Sequence, residues 1–138
     1  LLDKNKIITP HLGEFHKIFP SIKKNTDNIE KALNAVRLTK SNIILKGPKT
    51  IIASHDKKII VNTHNSPELA VIGSGDVLGG LIVSLIGDKK MKPFLAGCAA
   101  TWIHGDIAKR FNKGLIAEDI VQGIPSALIR LKNGRNIK

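Results

Sequence analysis

The order of short β-rich runs and long helical stretches most constrains how this chain can fold. Three runs in the first half have the length and composition of strands: Asn42–Lys46, Thr50–Ser54 and Lys58–Asn62. Gly47-Pro48 separates the first two runs and a polar turn separates the last two, which predicts a strand followed by a hairpin. Lys6–Thr9 resembles a further buried strand, ended by Pro10, which cannot donate a ladder hydrogen bond.

Helical patterns fill most of the remaining chain. Apolar residues at i, i+3, i+4 and i+7 follow Asp27, which together with Glu30 resembles a capping pair. The other predicted helices are Gly13–Phe19, Val77–Ile86 with Gly87 as its C-cap, Pro93–Phe111, and a last one from Ala117 or Glu118 to Leu131. Strands mixed with long helices predict an α/β layered fold, in which a sheet of few strands is covered by helices.

Length and composition fit a single domain over residues 1–138. A chain of this size buries about two-thirds of its unfolded surface without a disulfide or a metal. The single cysteine, Cys98, indicates a reducing compartment. The longest apolar run, Val77–Gly87, is about half of what a membrane span requires, so we expect a cytoplasmic protein without membrane association. Since the sequence does not begin with Met, we expect it to be a piece of a longer product.

The formal net charge is +11, about +6 of it before residue 71 and about +5 after it, so the excess is not a basic tail. A positive field attracts nucleic acids and nucleotides, but a solvated lysine-rich surface is the simpler interpretation. Aromatic residues make up 4% of the chain, which leaves few platforms for base stacking and argues against a nucleic-acid partner.

The glycine-rich turn in Val71–Gly80 is the most informative segment. Gly73 and Gly75 at a helix entrance permit a tight turn and close approach of a ligand to the backbone. The first N–H groups of that helix and its dipole would form an anion site suited to phosphate. Asp76 would repel a phosphate there unless it takes a proton from an attacking hydroxyl, as a general base does. A turn with a dipole-favouring Asp is the alternative from these residues alone.

Thr9–Glu14 is a second candidate segment, because it follows the first strand. His11 lies at the carboxyl edge of the sheet, where ligand sites of α/β folds lie. Glu14 could hold a ring nitrogen of His11, bind a ligand or cap the short helix. An ordinary loop histidine is the alternative interpretation.

Leu45–Thr50, a strand end followed by a tight turn, is the third candidate. Lys46 could reach a nucleotide phosphate and Thr50 could hydrogen-bond one, although the spacing of a Walker A loop is absent. A lysine flanking a hairpin is the alternative.

The helix after Pro93 contains Trp102, His104 and Asp106. We expect Trp102 in the core and His104 to be an ordinary hydrogen-bonded helical histidine. The five histidines and the cysteine lack metal-ligand spacing, which predicts no metal site formed by this chain.

In chain order, the motifs T-P-H-x-G-E, L-K-G-x-x-T, G-S-G-D-V-L and a helix with H-G-D resemble the carboxyl-terminal half of the NAD(P)H-hydrate dehydratase family. That family resembles the ribokinase-like kinases, in which a G-x-G-D turn serves as anion hole and base. The match extends from Ile7 to about Leu131. It implies a partial ribokinase-like three-layer fold that lacks the amino-terminal half of the family domain.

The resemblance implies repair of hydrated nicotinamide cofactors. Family members use ADP or ATP, with Mg²⁺, to phosphorylate the ring hydroxyl of S-NADHX or S-NADPHX, and loss of phosphate regenerates NADH or NADPH. Asp76 would deprotonate this hydroxyl and contact the substrate, which His11 would also contact. Backbone donors to the transferring phosphate are implied at Gly73, Ser74 and Gly75. Residues implied in adenine-nucleotide binding are Lys46, Gly47, Pro48, Lys49, Thr50 and Gly75.

The chain departs from the family before the glycine turn. The family pattern there is N-P-G-x-A-T-x-G, whereas Glu68, Val71 and Ile72 within Asn65–Ile72 would stiffen the loop and crowd the nucleotide. The missing half would leave a sheet edge and a helix face exposed, which predicts a homo-oligomer or a separate amino-terminal half as partner. Two other functions stay open: a nucleotide-binding remnant or subunit of a split dehydratase, and a basic nucleic-acid-binding protein.

Overall fold

The computed structural model describes residues 2–111 and 113–134. In these residues the strands form one sheet in the order β1-β2-β3-β4. The strands are β1 Ile7–Ile8, β2 Asn42–Leu45, β3 Thr50–Ala53 and β4 Ile59–Asn62. β1 and β2 are parallel, and the other two pairs are antiparallel. The predicted strand and hairpin are confirmed, although β1 at the edge of the sheet is half-buried rather than buried.

The helices are α1 Leu12–Ile18, α2 Asn28–Thr39, α3 Ser74–Gly87, α4 Pro93–Phe111 and α5 Ala117–Gly134. Asp27 caps α2, because its carboxylate accepts the Ile29 N–H at 2.8 Å. The predicted C-cap at Gly87 is wrong. α3 continues through Gly87, and Asp88 caps it in a right-handed conformation that requires no glycine.

Helices cover both faces of the sheet. On one face, Ile44 and Ile52 pack in a core with α3, α4 and α5. On the other face, a second core contains side chains of α1 and α2 with Ile43, Leu45, Ile51 and Ala53 of the sheet. Because β2 and β3 are buried on both sides, their sequences are continuously apolar rather than alternating. The predicted three-layer α/β arrangement is confirmed.

The parallel pairing of β1 and β2 brings two of the sequence motifs together. Ile7 lies opposite Asn42 and Ile8 opposite Ile43. Beyond the strands, the Lys46 N–H donates to the Pro10 carbonyl at 2.8 Å, so His11 and Lys46 emerge side by side. Both residues therefore lie at the carboxyl edge of the sheet, as expected.

Large apolar side chains lie exposed on α5 and on the edge strand β4. They are Val121, Leu128 and Ile129 on the helix and Ile60 and Val61 on the strand. Self-association through such surfaces stays a prediction. Within residues 2–111 and 113–134, the helices are too short or too polar to span a bilayer.

Gly105 determines how closely α4 approaches the segment after β4. A Cβ at this position would lie 1.8 Å from the His64 carbonyl oxygen. The His64 ring also stacks on Trp102, with ring centroids 4.9 Å apart. Trp102 is half-buried at the margin of the core rather than inside it. The segment after β4 is thus held directly on α4.

We expect Gly105→Ala to lower the free energy of unfolding by about 3 kcal/mol or more, since backbone must move to admit the methyl group. Gly80→Ala is the matched control, because a Cβ there would meet nothing within 4 Å. In the middle of α3 it should raise stability by about 0.5–1 kcal/mol. Denaturant unfolding measures both, and equal stabilities of the two variants would contradict the close approach.

Candidate nucleotide site

A cavity of about 770 Å³ lies where the three sequence motifs meet. Its lining includes predicted site residues from each motif, namely His11, Lys46, Gly47, Pro48, Thr50, Ser74 and Gly75. β4 and the following loop contribute Asn62, Thr63 and Asn65, and α3 and α4 contribute Leu78, Thr101 and His104. The other three predicted site residues, Lys49, Gly73 and Asp76, are not part of the lining.

The glycine turn forms the amino-terminal end of α3. Gly73 has a left-handed φ of +83°, which glycine adopts without strain, and α3 has no side-chain cap. The Ser74 N–H donates to the Val71 carbonyl at 3.3 Å, and the Asp76 N–H donates to the Gly73 carbonyl at 3.0 Å. No acceptor for the Gly75 N–H is found among the residues that the structure describes. The Gly75 N–H is therefore a backbone donor that a ligand in the cavity could use.

Lys46 places a positive charge against this helix end. A Cβ on Gly75 would lie 3.2 Å from Lys46 Nζ, and the lysine side chain is 28% exposed. A cation beside the positive end of a helix dipole is unfavourable by itself. The Glu14 carboxylate, 3.9 Å from Nζ, offsets this only in part. The arrangement favours an anion in the cavity.

His11 caps α1 and is itself held by Glu14. Its Nδ1 accepts the backbone N–H groups of Gly13 at 3.0 Å and Glu14 at 3.2 Å. In return, the Glu14 carboxylate accepts the His11 backbone N–H at 2.8 Å and lies 3.4 Å from His11 Nε2. The backbone hydrogen bond, with help from the Lys46 charge, lowers the pKa of Glu14. Glu14 thus completes the capping box of α1 and also contacts the His11 ring.

His104 ties α4 to the glycine turn. Its Nε2 lies 3.0 Å from the Ser74 carbonyl oxygen and 3.2 Å from Ser74 Oγ. Burial lowers the pKa of His104, so the ring is neutral and its Nε2–H donates to Ser74. It is the hydrogen-bonded histidine that the sequence predicts, but its partner is 30 residues away in the anion turn. That connection has no local sequence signal.

Asp106 forms a buried charge cluster on the opposite side of α4. Its side chain is 3% exposed, and Arg130 donates to Oδ2 at 2.6 Å. His64 and Arg110 approach Oδ1 at 3.1 and 3.2 Å. Burial alone would raise the pKa of Asp106, but the hydrogen bonds from Arg130, His64 and Arg110 together lower it. The cluster fixes His64 and thereby the segment after β4.

Asn65 connects that segment to the loop after β2. Its Nδ2 donates to the carbonyl oxygens of Gly47 at 2.9 Å and Pro48 at 3.3 Å. The loop is therefore held by a single residue that lies 18 positions after Gly47 and 17 positions after Pro48.

The segment before the glycine turn differs in part from expectation. Ser66 caps a short 3₁₀ helix over Pro67–Leu69, which stiffens the loop. Val71 lines the cavity as expected, but Glu68 does not, and Ile72 points outward with 99% of its surface exposed. The prediction that Glu68 and Ile72 crowd the site is therefore wrong, because the turn at Gly73 directs Ile72 into solvent.

In the ranges that the structure describes, no three His, Cys, Asp or Glu side chains come together to form a metal site. A Mg²⁺ ion accompanying a nucleotide needs only one or two carboxylates in addition to phosphate and water oxygens. Asp76 is exposed in the first turn of α3 and is the carboxylate of the glycine turn. The donor set fits a nucleotide-borne Mg²⁺ but not a metal held by protein alone.

Comparison with known proteins shows the family to which this fold belongs. The family model described as NAD(P)H-hydrate dehydratase matches residues 1–127. The chain belongs to the NAD(P)H-hydrate dehydratase family. An ADP-dependent (S)-NAD(P)H-hydrate dehydratase of Neisseria meningitidis is 36% identical over 125 residues, which cover 85% of this chain and 42% of that protein.

Solved structures place this member of the dehydratase family in the same fold. Bacillus subtilis ADP/ATP-dependent NAD(P)H-hydrate dehydratase, co-crystallized with ATP/Mg²⁺ and soaked with CoA, matches with a TM-score of 0.83 and 27% identity. The match covers 90% of this chain and 48% of that one. An Enterococcus faecalis ribokinase-like superfamily protein, 23% identical, matches with a TM-score of 0.79 over 93% of this chain and 45% of that one. The partial ribokinase-like fold is thus confirmed, and the chain spans less than half the length of these proteins.

Burial of neutral His104 predicts a loss of stability in mild acid. A histidine in the unfolded chain takes up a proton as pH falls through about 6.5, whereas the folded-state pKa of His104 is lower. The unfolded state then binds more protons, so the free energy of unfolding decreases between about pH 7.5 and pH 5.5. The lowered pKa values of Glu14 and Asp106 act only below this window.

Denaturant unfolding of His104→Gln should show a weaker pH dependence over this window than the parent chain. His55→Gln, on the exposed turn between β3 and β4, serves as the control and should keep the parental dependence. An unchanged pH dependence in His104→Gln would show that another group controls acid sensitivity.

Proposed function

We propose that this chain supplies the nucleotide-binding and proton-abstracting part of an ADP- or ATP-dependent dehydratase that converts S-NADHX or S-NADPHX to NADH or NADPH. Family membership supports the reaction class. The single observation that carries the assignment of the site is the Lys46 ammonium against Gly75 at the amino-terminal end of α3, in the wall of a cavity large enough for a nucleotide.

Lys46 and the Gly75 N–H would bind the phosphate chain of ADP or ATP. An anion between them relieves the repulsion between the ammonium and the helix dipole and satisfies the open backbone donor. Gly47, Pro48, Lys49 and Thr50 would complete the nucleotide side, since their loop is held in place by Asn65. His11 lies beside Lys46 and would contact the hydrated nicotinamide.

Asp76 would act as the general base. It lies in the first turn of α3, is exposed and follows the Gly75 donor directly. It accepts the proton of the ring hydroxyl while the hydroxyl oxygen attacks the terminal phosphorus and the bond to the leaving nucleotide oxygen breaks. The phosphorylated ring then loses phosphate, and the electron pair of the adjacent C–H bond, whose proton leaves, forms the ring double bond. Ser74, Gly75 and Gly73 would hold the transferring phosphoryl group.

Mg²⁺ would be held by the nucleotide phosphates and water, because Asp76, the carboxylate of the turn, is assigned to the proton. When bound, it would supply charge neutralisation for the phosphate oxygens.

Lys46→Met is expected to weaken ADP and ATP binding by about 10- to 100-fold, because a charge-assisted contact to phosphate is lost. The stability of the free protein should change little or rise, since the repulsion at the helix end disappears. Lys24→Met, which removes one exposed charge outside the cavity, is the control. Isothermal titration calorimetry measures the affinities. Equal losses of affinity in both variants would show that net charge, and not a contact of Lys46 with phosphate, causes the loss.

Asp76→Asn is expected to lower the rate of NADH recovery from hydrated NADH by about 10²- to 10⁴-fold, as removal of a general base does. Absorbance of reduced nicotinamide, with Mg²⁺ and ADP or ATP, measures the rate. Asp88→Asn removes the same charge at the opposite end of α3 and should retain the parental rate. Nucleotide binding by the parent chain without any NADH recovery would contradict the dehydratase proposal and favour a nucleotide-binding module or a subunit.

A further inference from the structure

Asn62 is a buried amide in the wall of the cavity. It is the last residue of β4, pairs with Thr50 of β3 and is 9% exposed. Its side chain belongs to none of the three sequence motifs that indicate the site. Asn62 nevertheless lines the same cavity as Lys46 and Gly75.

A hydrogen bond within the chain determines which way the Asn62 amide faces. The His64 backbone N–H donates to Asn62 Oδ1 at 3.1 Å. Because a backbone N–H requires an acceptor, this contact identifies the oxygen, and the other terminal atom must be the NH₂ group. His64 is in turn held by Asp106, so the amide has little freedom to flip.

The Asn62 Nδ2 group has no hydrogen-bond acceptor among the described residues. Buried amides without a partner are rare, because the lost hydration is not recovered. An orphaned donor in a cavity wall indicates that the acceptor belongs to whatever occupies the cavity.

We propose that Asn62 Nδ2 donates a hydrogen bond to an acceptor atom of the bound adenine nucleotide, so that Asn62 is a binding residue of this site. The inference rests on the proposed nucleotide function and extends it to a residue outside the three motifs. The acceptor is a phosphate oxygen or an atom of the adenosine moiety. Both are hydrogen-bond acceptors of one ligand, and different fragments of that ligand separate them.

Asn62→Asp removes the Nδ2 donor and keeps an oxygen that accepts the His64 N–H. The introduced carboxylate still accepts the His64 N–H but cannot donate. We expect ADP affinity of the full chain to fall about tenfold in calorimetry. Asn5→Asp, an exposed position before β1, makes the same charge change and should leave ADP affinity unaltered.

Asn62→Ala controls for the introduced charge and for misfolding of the Asp variant. It should also weaken ADP binding about tenfold while the protein retains a cooperative unfolding transition. Adenosine and inorganic pyrophosphate then locate the acceptor. A loss with adenosine places it on the base or ribose, and a loss with pyrophosphate places it on the phosphate chain.

Unchanged ADP affinity in Asn62→Ala would overturn the inference while leaving the proposed function intact. If the parent chain binds ADP but does not recover NADH, the proposed reaction fails and the Asn62 contact is still decided by the same titrations. If the parent chain binds neither ADP nor ATP, the inference and the nucleotide site fail together.

Discussion

The close packing of α4 is the constraint on which the cavity depends. Gly105 lets the backbone after β4 lie directly on the helix, where a larger residue would collide with the His64 carbonyl. One residue before it, His104 holds the glycine turn, and one residue after it, Asp106 holds the His64 ring. Two walls of the cavity, far apart in sequence, are therefore positioned by three consecutive residues of one helix.

Charge is distributed unevenly around this framework. Asp106 is buried among three cationic or potentially cationic side chains and has its hydrogen-bonding capacity filled. Lys46, by contrast, lies against the positive end of α3, and the half-exposed Glu14 carboxylate, 3.9 Å away, compensates its charge only in part. The first arrangement stabilises the fold by itself, whereas the second becomes favourable when an anion is bound. This difference separates the structural charges of the molecule from those suited to ligand binding.

Much of the architecture could be predicted because its signals are local. Continuous apolar runs predicted the buried strands, and Pro93 and Asp27 marked where helices begin. Gly87 misled because a glycine near a helix end is a common left-handed cap, whereas α3 ends in a right-handed conformation at Asp88. Ile72 also misled, since its sequence position next to the turn does not reveal that its side chain points into solvent.

The cavity itself was only partly predictable. His11, Lys46 and Gly75 carry recognisable motifs, and their order in the chain indicated the family and the edge of the sheet at which they meet. His104 contacts Ser74, 30 positions away, and Asp106 contacts His64, 42 positions away. Asn62 is oriented by His64, two positions later, and all of these partners are ordinary residue types. No local pattern specifies the partners or the surroundings of these three side chains, so their roles had to come from the coordinates.

The sequence by itself determined the α/β class, because turns, caps and apolar runs act over a few residues, and the resemblance of its ordered motifs indicated the family. Only the tertiary structure decided that Lys46 lies against Gly75, that His104 supports Ser74 and that Asn62 Nδ2 has no acceptor within residues 2–111 and 113–134. The physical reason is that desolvation and hydrogen bonding depend on what surrounds a group in space, which chain order alone does not specify.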